Sequence, residues 1–408
     1  MRARETAESV ARRSYGKLVA FLASRTRDVA AAEDALSEAF AAALADWPMK
    51  GVPANPEAWL MTVARRKWID ADRHRDRSGV VDADLEQIAA AIGAAPEEGQ
   101  IPDRRLALMF ACAHPAIDAG VRAPLILQTI VGLDAATIAS AFLTSPAAMG
   151  KRLVRAKNKI REAGIPFRVP EREELPERLD AVLEAIYAAF AEGWSDAVGT
   201  DMLRRDLTGE ALFLARLVAE LLPREPEALG LLALMLHAEA RRRARRNARG
   251  EYVPLAQQDV ELWDAEMIAE AEKLLVRASA LKTIGRYQLE AAVQSANVAR
   301  GRTGEPNWDE VTQIYDALLE ITGSPVVAIN RALAVAEVRG AKAGLDALPD
   351  AEADPRLRAY QPYWAARADL LARAGCGGEA RHAYDVAIGL ERDAAIREFL
   401  EKRREMMR

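Results

Sequence analysis

Apolar residues recur along this chain at three- and four-residue spacings almost throughout, the period of helices with one buried face. The first such stretch covers about Thr6 to Ser24, with Val10, Tyr15, Leu18, Val19 and Leu22 on its apolar side. Thr26-Arg27-Asp28 interrupts it, and Asp28 suits the cap of the next helix. That helix, Val29 to Trp47, places Leu36, Phe40, Leu44 and Trp47 on one stripe. A loop with Pro48, Gly51, Pro53 and Pro56 follows. Asn55-Pro56-Glu57 then offers a capping side chain, a proline and an acid in the order that starts a helix. From Glu57 to about Arg77, Trp59, Leu60, Val63, Ala64 and Ile69 can face a core.

The pattern lapses between Gly79 and Gln100, which is acidic, Ala-rich and followed by Pro102; it reads as an interdomain linker with one helix over Asp84 to Ile92. Asp103 opens a helix that runs through Ala113 and stops at His114-Pro115, and another spans about Val121 to Val131. Leu133 to Arg161 reads as two short helices around a sharp break. The first, Asp134 to Phe142, buries Ile138, Ala139 and Phe142. Leu143-Thr144-Ser145-Pro146 is the break, with Ser145 as cap and Pro146 at the first helical position. The second helix carries Met149, Leu153, Ala156 and Ile160 on its apolar face. From Glu177 onward the chain is a helical array with breaks at Gly193, Pro223, Pro254 and Gly285. In its last third Ala368, Gly375, Ala380, Tyr384 and Ala387 follow the small-and-aromatic spacing of a tetratricopeptide repeat, and Ala332, Val335 and Gly340 are a weaker copy.

Composition narrows the class. Half the residues are apolar, few are aromatic, and long β-branched runs are absent, so the chain is expected to be all-α. At 408 residues it exceeds one small core and should form two or three domains. A net charge of −5 confines any nucleic-acid surface to local basic stretches, Arg65 to Arg77 and Lys151 to Arg161. Two distant cysteines, Cys112 and Cys376, suit a reducing cytoplasm. No apolar run reaches membrane-spanning length, and the first residues lack a signal peptide's apolar core. Cys112 and His114 have no second ligand pair nearby, so no metal site is expected. Scattered Asp, His and Ser residues show no catalytic spacing; neither an enzyme nor a cofactor is expected.

Three features carry chemistry. A short helix, a tight turn and a basic second helix compose a helix-turn-helix, which lays its second helix in the major groove; a plain helical hairpin with a solvated basic face fits the same periodicity. Arg65, Arg66, Lys67, Arg73, Arg75 and Arg77 lie among Trp59 and Trp68, the combination that single-stranded DNA binding requires. Glu33, Asp34 and Glu38 form an acidic patch, either a solvated face favoured by the helix dipole or a dock for a basic partner. Arg241 to Arg246 reads as a solvated helix end.

Residues from about 5 to 165 resemble a sigma factor of the sigma-70 family, extracytoplasmic-function group. AEDALSEAF, Ala32 to Phe40, is similar to the helix that binds the β′ clamp helices of RNA polymerase, with Asp34 and Glu38 at its acidic positions and Ser37 where glutamine is usual. NPEAWLMTVARRKWID, Asn55 to Asp70, resembles the −10 recognition and melting segment, and the loop Trp47 to Ala54 falls where the family pockets a flipped base. Leu133 to Arg161 resembles region 4, which reads the −35 element. IPDRRLALMFACAHPAI and RLVRAKNKIREAGIPFRVP resemble a subgroup with a long extension related to tetratricopeptide repeats.

The resemblance implies region 2 over residues 5–78, an acidic linker over 79–102, region 4 over 103–165 and a repeat-like α-solenoid over 177–408. It implies core RNA polymerase (β′ clamp helices and β subunit) and promoter DNA as partners, with a protein or peptide on the helical array. Glu33, Asp34 and Glu38 would bind polymerase. Trp59, Arg65, Arg66, Lys67, Arg73 and Arg75 would serve the −10 element, and Ala147, Ala148, Lys151, Arg152 and Arg155 the −35 element. Gly150 stands where a longer residue is often found. Two other readings compete: a helical-repeat scaffold, and an ordinary helix-turn-helix regulator acting without polymerase.

Overall fold

The computed structural model describes isolated residues between 6 and 26, then residues 29–73, 103–162, 170–195 and 202–407. Among the described residues the chain is helical, and its only extended pairing is an isolated bridge between Arg246 and Tyr252. The linker helix expected over Asp84 to Ile92, and Arg75 and Arg77, lie outside the described residues. Two compact units emerge: Met1–Gly193 with Asp206–Leu221, and Trp194–Arg205 with Leu222–Arg408.

In the first unit, the described residues between 6 and 26 are helical, and α1 (Val29–Lys50) packs on α2 (Pro56–Arg73). Ala32, Leu36, Ala39, Ala43 and Trp47 form the buried face of α1. Leu44, expected in that stripe, is 51% exposed. Eight residues beyond Leu36 it has drifted about 80° around the helix, whereas Trp47, eleven beyond, comes back within about 20°. The helix also runs three residues past its expected end, through Pro48.

Helix α3 (Arg104–Cys112) starts where Asp103 accepts the amides of Arg105 and Leu106, and α4 (Ala119–Ile126) continues through a wider turn to Val131. The hairpin follows as α5 (Ala135–Ala141) and α6 (Pro146–Glu162). Asp134 caps α5 through the amides of Ala136 and Thr137, and those bonds hold its carboxyl below the usual range. The Ala148 amide donates to Ser145 Oγ at 3.2 Å, the cap expected for α6. Ile138, Ala139, Met149, Leu153, Ala156 and Ile160 are buried as the spacing predicts, while Phe142 is only half-buried.

The first unit continues beyond the hairpin. Helix α7 (Pro176–Ser195), which runs past the break expected at Gly193, and α8 (Met202–Leu221) contribute to it. Arg178, 3% exposed, donates to the Phe110 carbonyl at 3.2 Å and pairs with Glu174 at 3.1 Å. Arg105 of α3 pairs with Glu210 of α8. The extension expected from residue 177 thus gives its first helices to the unit that holds the hairpin. Replacing Arg178 by methionine keeps the apolar stem and removes these bonds. We expect a loss of about 2 kcal/mol, read as a lower urea midpoint of the intact chain.

The second unit holds α9 (Pro226–Ala240), α10 (Ala265–Ala280), α11 (Arg286–Thr303), α12 (Trp308–Thr322), α13 (Pro325–Arg339), α14 (Ala341–Ala347), α15 (Gln361–Arg373), α16 (Gly377–Leu390) and α17 (Ala394–Glu405). Buried on nearly every side, α9 packs against α10 and α11. Ala368, Ala380, Ala383, Tyr384 and Ala387 share one core cluster with Leu371 and Leu400, so the small residues let α15 and α16 approach and Tyr384 fills the space between. Gly375 turns between them with φ +81°, where a side chain would be strained. The arginine run proves not to be a solvated helix end. Arg241 is 7% exposed; Arg245 lies 3.6 Å from the Trp194 ring centre and donates to that residue's carbonyl; Arg246 pairs with Asp393. Apart from the exposed Arg243, the run packs inside the second unit, with Arg242 also paired to Glu239 and the aliphatic stems lying along neighbouring surface.

Candidate nucleic-acid interface

Helix α1 divides its acids between two environments. Asp34 and Glu38 are exposed, while Glu33 is 8% exposed. Glu33 accepts the Lys157 ammonium of α6 at 2.6 Å, and these side chains are 10% and 23% exposed. Glu38 lies 3.2 Å from Lys67 of α2, with both side chains largely in solvent. Such an exposed pair contributes at most about 1 kcal/mol. Tyr15 sits beside this ridge: burial first, then the charge of Glu33, pushes its hydroxyl up to about 12.

On α2, Asn55 caps the helix by accepting the Ala58 amide at 3.1 Å, and Ser14 donates to Glu57. Trp59 is half-buried and stands edge-on to Trp47, ring centres 5.5 Å apart. Its ring is therefore used in part for packing against Trp47. Arg65 is half-buried, while Arg66 and Lys67 are exposed. Arg73 ends the helix on the same face as Arg66, seven residues on; its side chain and all of Arg75 lie outside the described residues. Met49 and Val52, in the loop and helix end before α2, are exposed at 86% and 36%.

Helix α6 presents separate faces. Met149, Leu153, Ala156 and Ile160 turn into the core. Ala147, Lys151, Arg152 and Arg155 are exposed, and Ala148 is half-buried behind them. A Cβ on Gly150 would meet nothing within 4 Å, so the position is open to solvent. Val154, 59% exposed, stands among the basic residues, a feature the periodicity did not single out. Lys157 turns from that exposed surface toward Glu33, and nothing in the local sequence marks it out from its neighbours.

Cys112 is fully buried, and burial raises its thiol pKa strongly; Cys376 is exposed. His114 accepts the Ala116 amide through Nδ1. Among the described residues no cluster of His, Cys, Asp and Glu could hold a metal ion, and no helix is long and apolar enough to cross a membrane. In the second unit, α15, α16 and the preceding loop surround an open cavity of about 480 Å³ with Trp364 and Leu371 on its wall and Asp350, Glu352, Arg367 and Glu379 around it.

Comparison with known proteins assigns the two ends of this geometry differently. Residues 10–78, which contain α1 and α2, match the family Sigma-70 region 2. Residues 178–279, from α7 through most of α10, match a family of unknown function, DUF6596. The "Uncharacterized protein R00370" of Rhizobium meliloti is 38% identical over 377 residues, covering 90% of this chain and 88% of that protein. The "Probable RNA polymerase sigma factor RfaY" of Xanthomonas campestris pv. campestris is 34% identical over 163 residues, covering 36% of this chain and 40% of that protein. No solved structure matches the chain. With the likeness to the Rhizobium protein spanning nearly the whole length, the chain belongs to the family of that protein, and its α1 and α2 lie within a sigma-70 region 2.

Proposed function

We propose that this protein is a sigma factor of the extracytoplasmic-function group, acting in the cytoplasm without enzymatic chemistry or cofactor. Residues 5–78 serve as region 2, 79–102 as the linker, 103–165 as region 4, and the helices from 177 onward as a repeat-like regulatory extension. Asp34 and Glu38 dock on the basic clamp helices of polymerase. Arg65, Arg66, Lys67, Arg73 and Arg75 neutralise the phosphates of the −10 element, where Trp59 offers a flat surface to an unstacked base. Lys151, Arg152 and Arg155 enter the major groove at −35, with Ala147 and Ala148 permitting close approach of the helix. The cavity between α15 and α16 is a candidate seat for a partner peptide.

The observation that carries this reading is the match of residues 10–78 to sigma-70 region 2, on helices whose exposed surface has acids on α1 and bases on α2. A scaffold needs neither surface. The test combines the purified full chain with core RNA polymerase on genomic DNA and maps the transcript starts. Discrete new starts, absent with core enzyme alone, are the expected result. Tight duplex binding without any polymerase-dependent start would instead show an ordinary helix-turn-helix regulator.

A further inference from the structure

Three elements wall the open cavity of the second unit: the loop after α14, one face of α15 and the first turns of α16. On α15, Trp364, Arg367 and Leu371 are spaced three and four residues apart and so share that face. The loop is pinned in place. Asp350 accepts the Glu352 amide at 2.8 Å. Arg358 donates to the carbonyls of Ala351 and Glu352 at 3.2 and 3.3 Å and to the Glu352 carboxylate at 3.0 Å. Trp364 donates its indole N–H to the Arg358 carbonyl at 3.0 Å, and its ring stands edge-on to Tyr363. Arg358 thus fixes the loop and the aromatic wall together. The space, about 480 Å³, is of the size that takes a small ligand or a few residues of peptide.

Its charges are arranged unusually for this unit. Other arginines on the neighbouring helices are paired: Arg331 with Asp316, Arg373 with Glu337, Arg403 with Asp369 and Arg404 with Asp385. Arg367 is half-buried and meets no carboxylate among the described residues. Asp369, two residues on, lies about 200° around the helix and serves Arg373 and Arg403 instead. Asp350 and Glu379, on the other two walls, likewise meet no cation among the described residues. Charges of both signs therefore border one cavity without neutralising each other. A partly desolvated guanidinium gains most from a carboxylate, which its planar fork can hold through two hydrogen bonds. The two acids call for a cation, and Trp364 and Leu371 offer an apolar surface between these charges.

We propose that this cavity binds a short peptide segment in which an apolar side chain lies between a carboxylate and an amine or guanidinium. Arg367 holds the carboxylate, Asp350 and Glu379 the cation, and Trp364 with Leu371 the apolar side chain. Arg358 is a positioning residue that acts through Trp364 and the loop. A ligand of one sign alone would leave the opposite wall uncompensated. The regulatory use of the site rests on the sigma-factor reading; the binding itself does not.

The test titrates the full chain in a calorimeter with acetyl-Lys-Leu-Glu-amide and acetyl-Glu-Leu-Lys-amide, the two orders of charge, and with the uncharged acetyl-Gln-Leu-Gln-amide. One charged order should bind at least about tenfold more tightly than the uncharged peptide. Arg367→Met keeps the aliphatic stem and should weaken that peptide about tenfold, and Glu379→Gln about threefold. Neither residue belongs to an ion pair of the fold, so unfolding curves of both variants should match the parent. The same peptide with glutamine in place of its glutamate should bind the parent and Arg367→Met equally, which a mere change of cavity shape would not produce. Equal binding of charged and uncharged peptides overturns the proposal. So does the absence of binding at millimolar concentration, or binding indifferent to Arg367→Met. Adding the bound peptide to the transcription assay then tests its use: starts whose yield ignores the peptide overturn the regulatory role. If no start appears with or without it, the sigma-factor reading fails while the calorimetry still decides the site.

Discussion

Reversing the charges of Asp34 and Glu38 to lysine should weaken binding to core RNA polymerase about a hundredfold and leave the helix content of the protein unchanged. Both residues are exposed on α1. Among the described residues the ion pair at these positions is Glu38 with Lys67, whose side chains are 61% and 46% exposed, so its loss costs the fold at most about 1 kcal/mol. At an interface the sign matters more. Two reversed charges against a basic partner remove attraction and add repulsion, together about 3 kcal/mol for a partly desolvated contact. The effect should grow as salt is lowered, because rim charges act over a Debye length. Binding measured by fluorescence anisotropy at two ionic strengths checks it. An unchanged dissociation constant at both would remove α1 from the docking surface, whatever the protein's promoter activity.

The sequence groups Glu33 with these two acids, and the structure sets it in a different environment, 8% exposed and paired with Lys157. On α1 it sits one residue before Asp34 and five before Glu38, so it points about 100° and 140° away from them respectively. It meets Lys157, 124 residues along the chain. Periodicity reads which face of a helix is apolar; it carries no information about which distant side chain crosses the remaining gap. The caps were legible for the opposite reason. Asp103, Asp134, Ser145 and Asn55 bond amides two or three residues away, so a short window of sequence contains both partners. The two helices around the break at residues 143–145 followed from these caps and from Met149, Leu153, Ala156 and Ile160 together. Leu44 failed because a stripe judged by type alone ignores angular drift. The arginines from 241 to 246 were misread for a related reason: Trp194 and Asp393, which receive Arg245 and Arg246, lie far from them in sequence. Gly16 did carry a signal, since glycine inside a helix costs about 1 kcal/mol and is usually kept for a close approach; a Cβ there would overlap the Ile130 carbonyl. A boundary at residue 177 would cut away α7 and α8, which the first unit uses through Arg178 and Glu210.

Mild acid should destabilise the second unit through His237. This residue of α9 is fully buried, and burial, with the neighbouring Arg241 and Arg302 charges, lowers its pKa from 6.5 to about 4. Glu272 of α10 has a carboxylate oxygen 3.4 Å from Nε2, which opposes that shift. That carboxylate is 42% exposed and already accepts the Ser295 hydroxyl at 2.7 Å, so burial and the two arginines prevail and the imidazole stays neutral. Below pH 6.5 the unfolded chain takes up a proton that the folded chain refuses until about pH 4. Stability must therefore fall as pH drops through that window and level off beneath it. A shift of this size corresponds to about 3 kcal/mol in all, since each unit is worth about 1.4 kcal/mol. Carboxylates whose pKa values are lowered, such as Asp393, give up their contribution at more acid pH, below the ordinary aspartate value. The upper part of the window accordingly belongs to the histidine. His237→Leu fills similar space without a titrating group, and its urea midpoint should stay level between pH 6.5 and 4.5 while that of the parent protein declines. Parallel declines in the two proteins would place the acid sensitivity elsewhere in the fold.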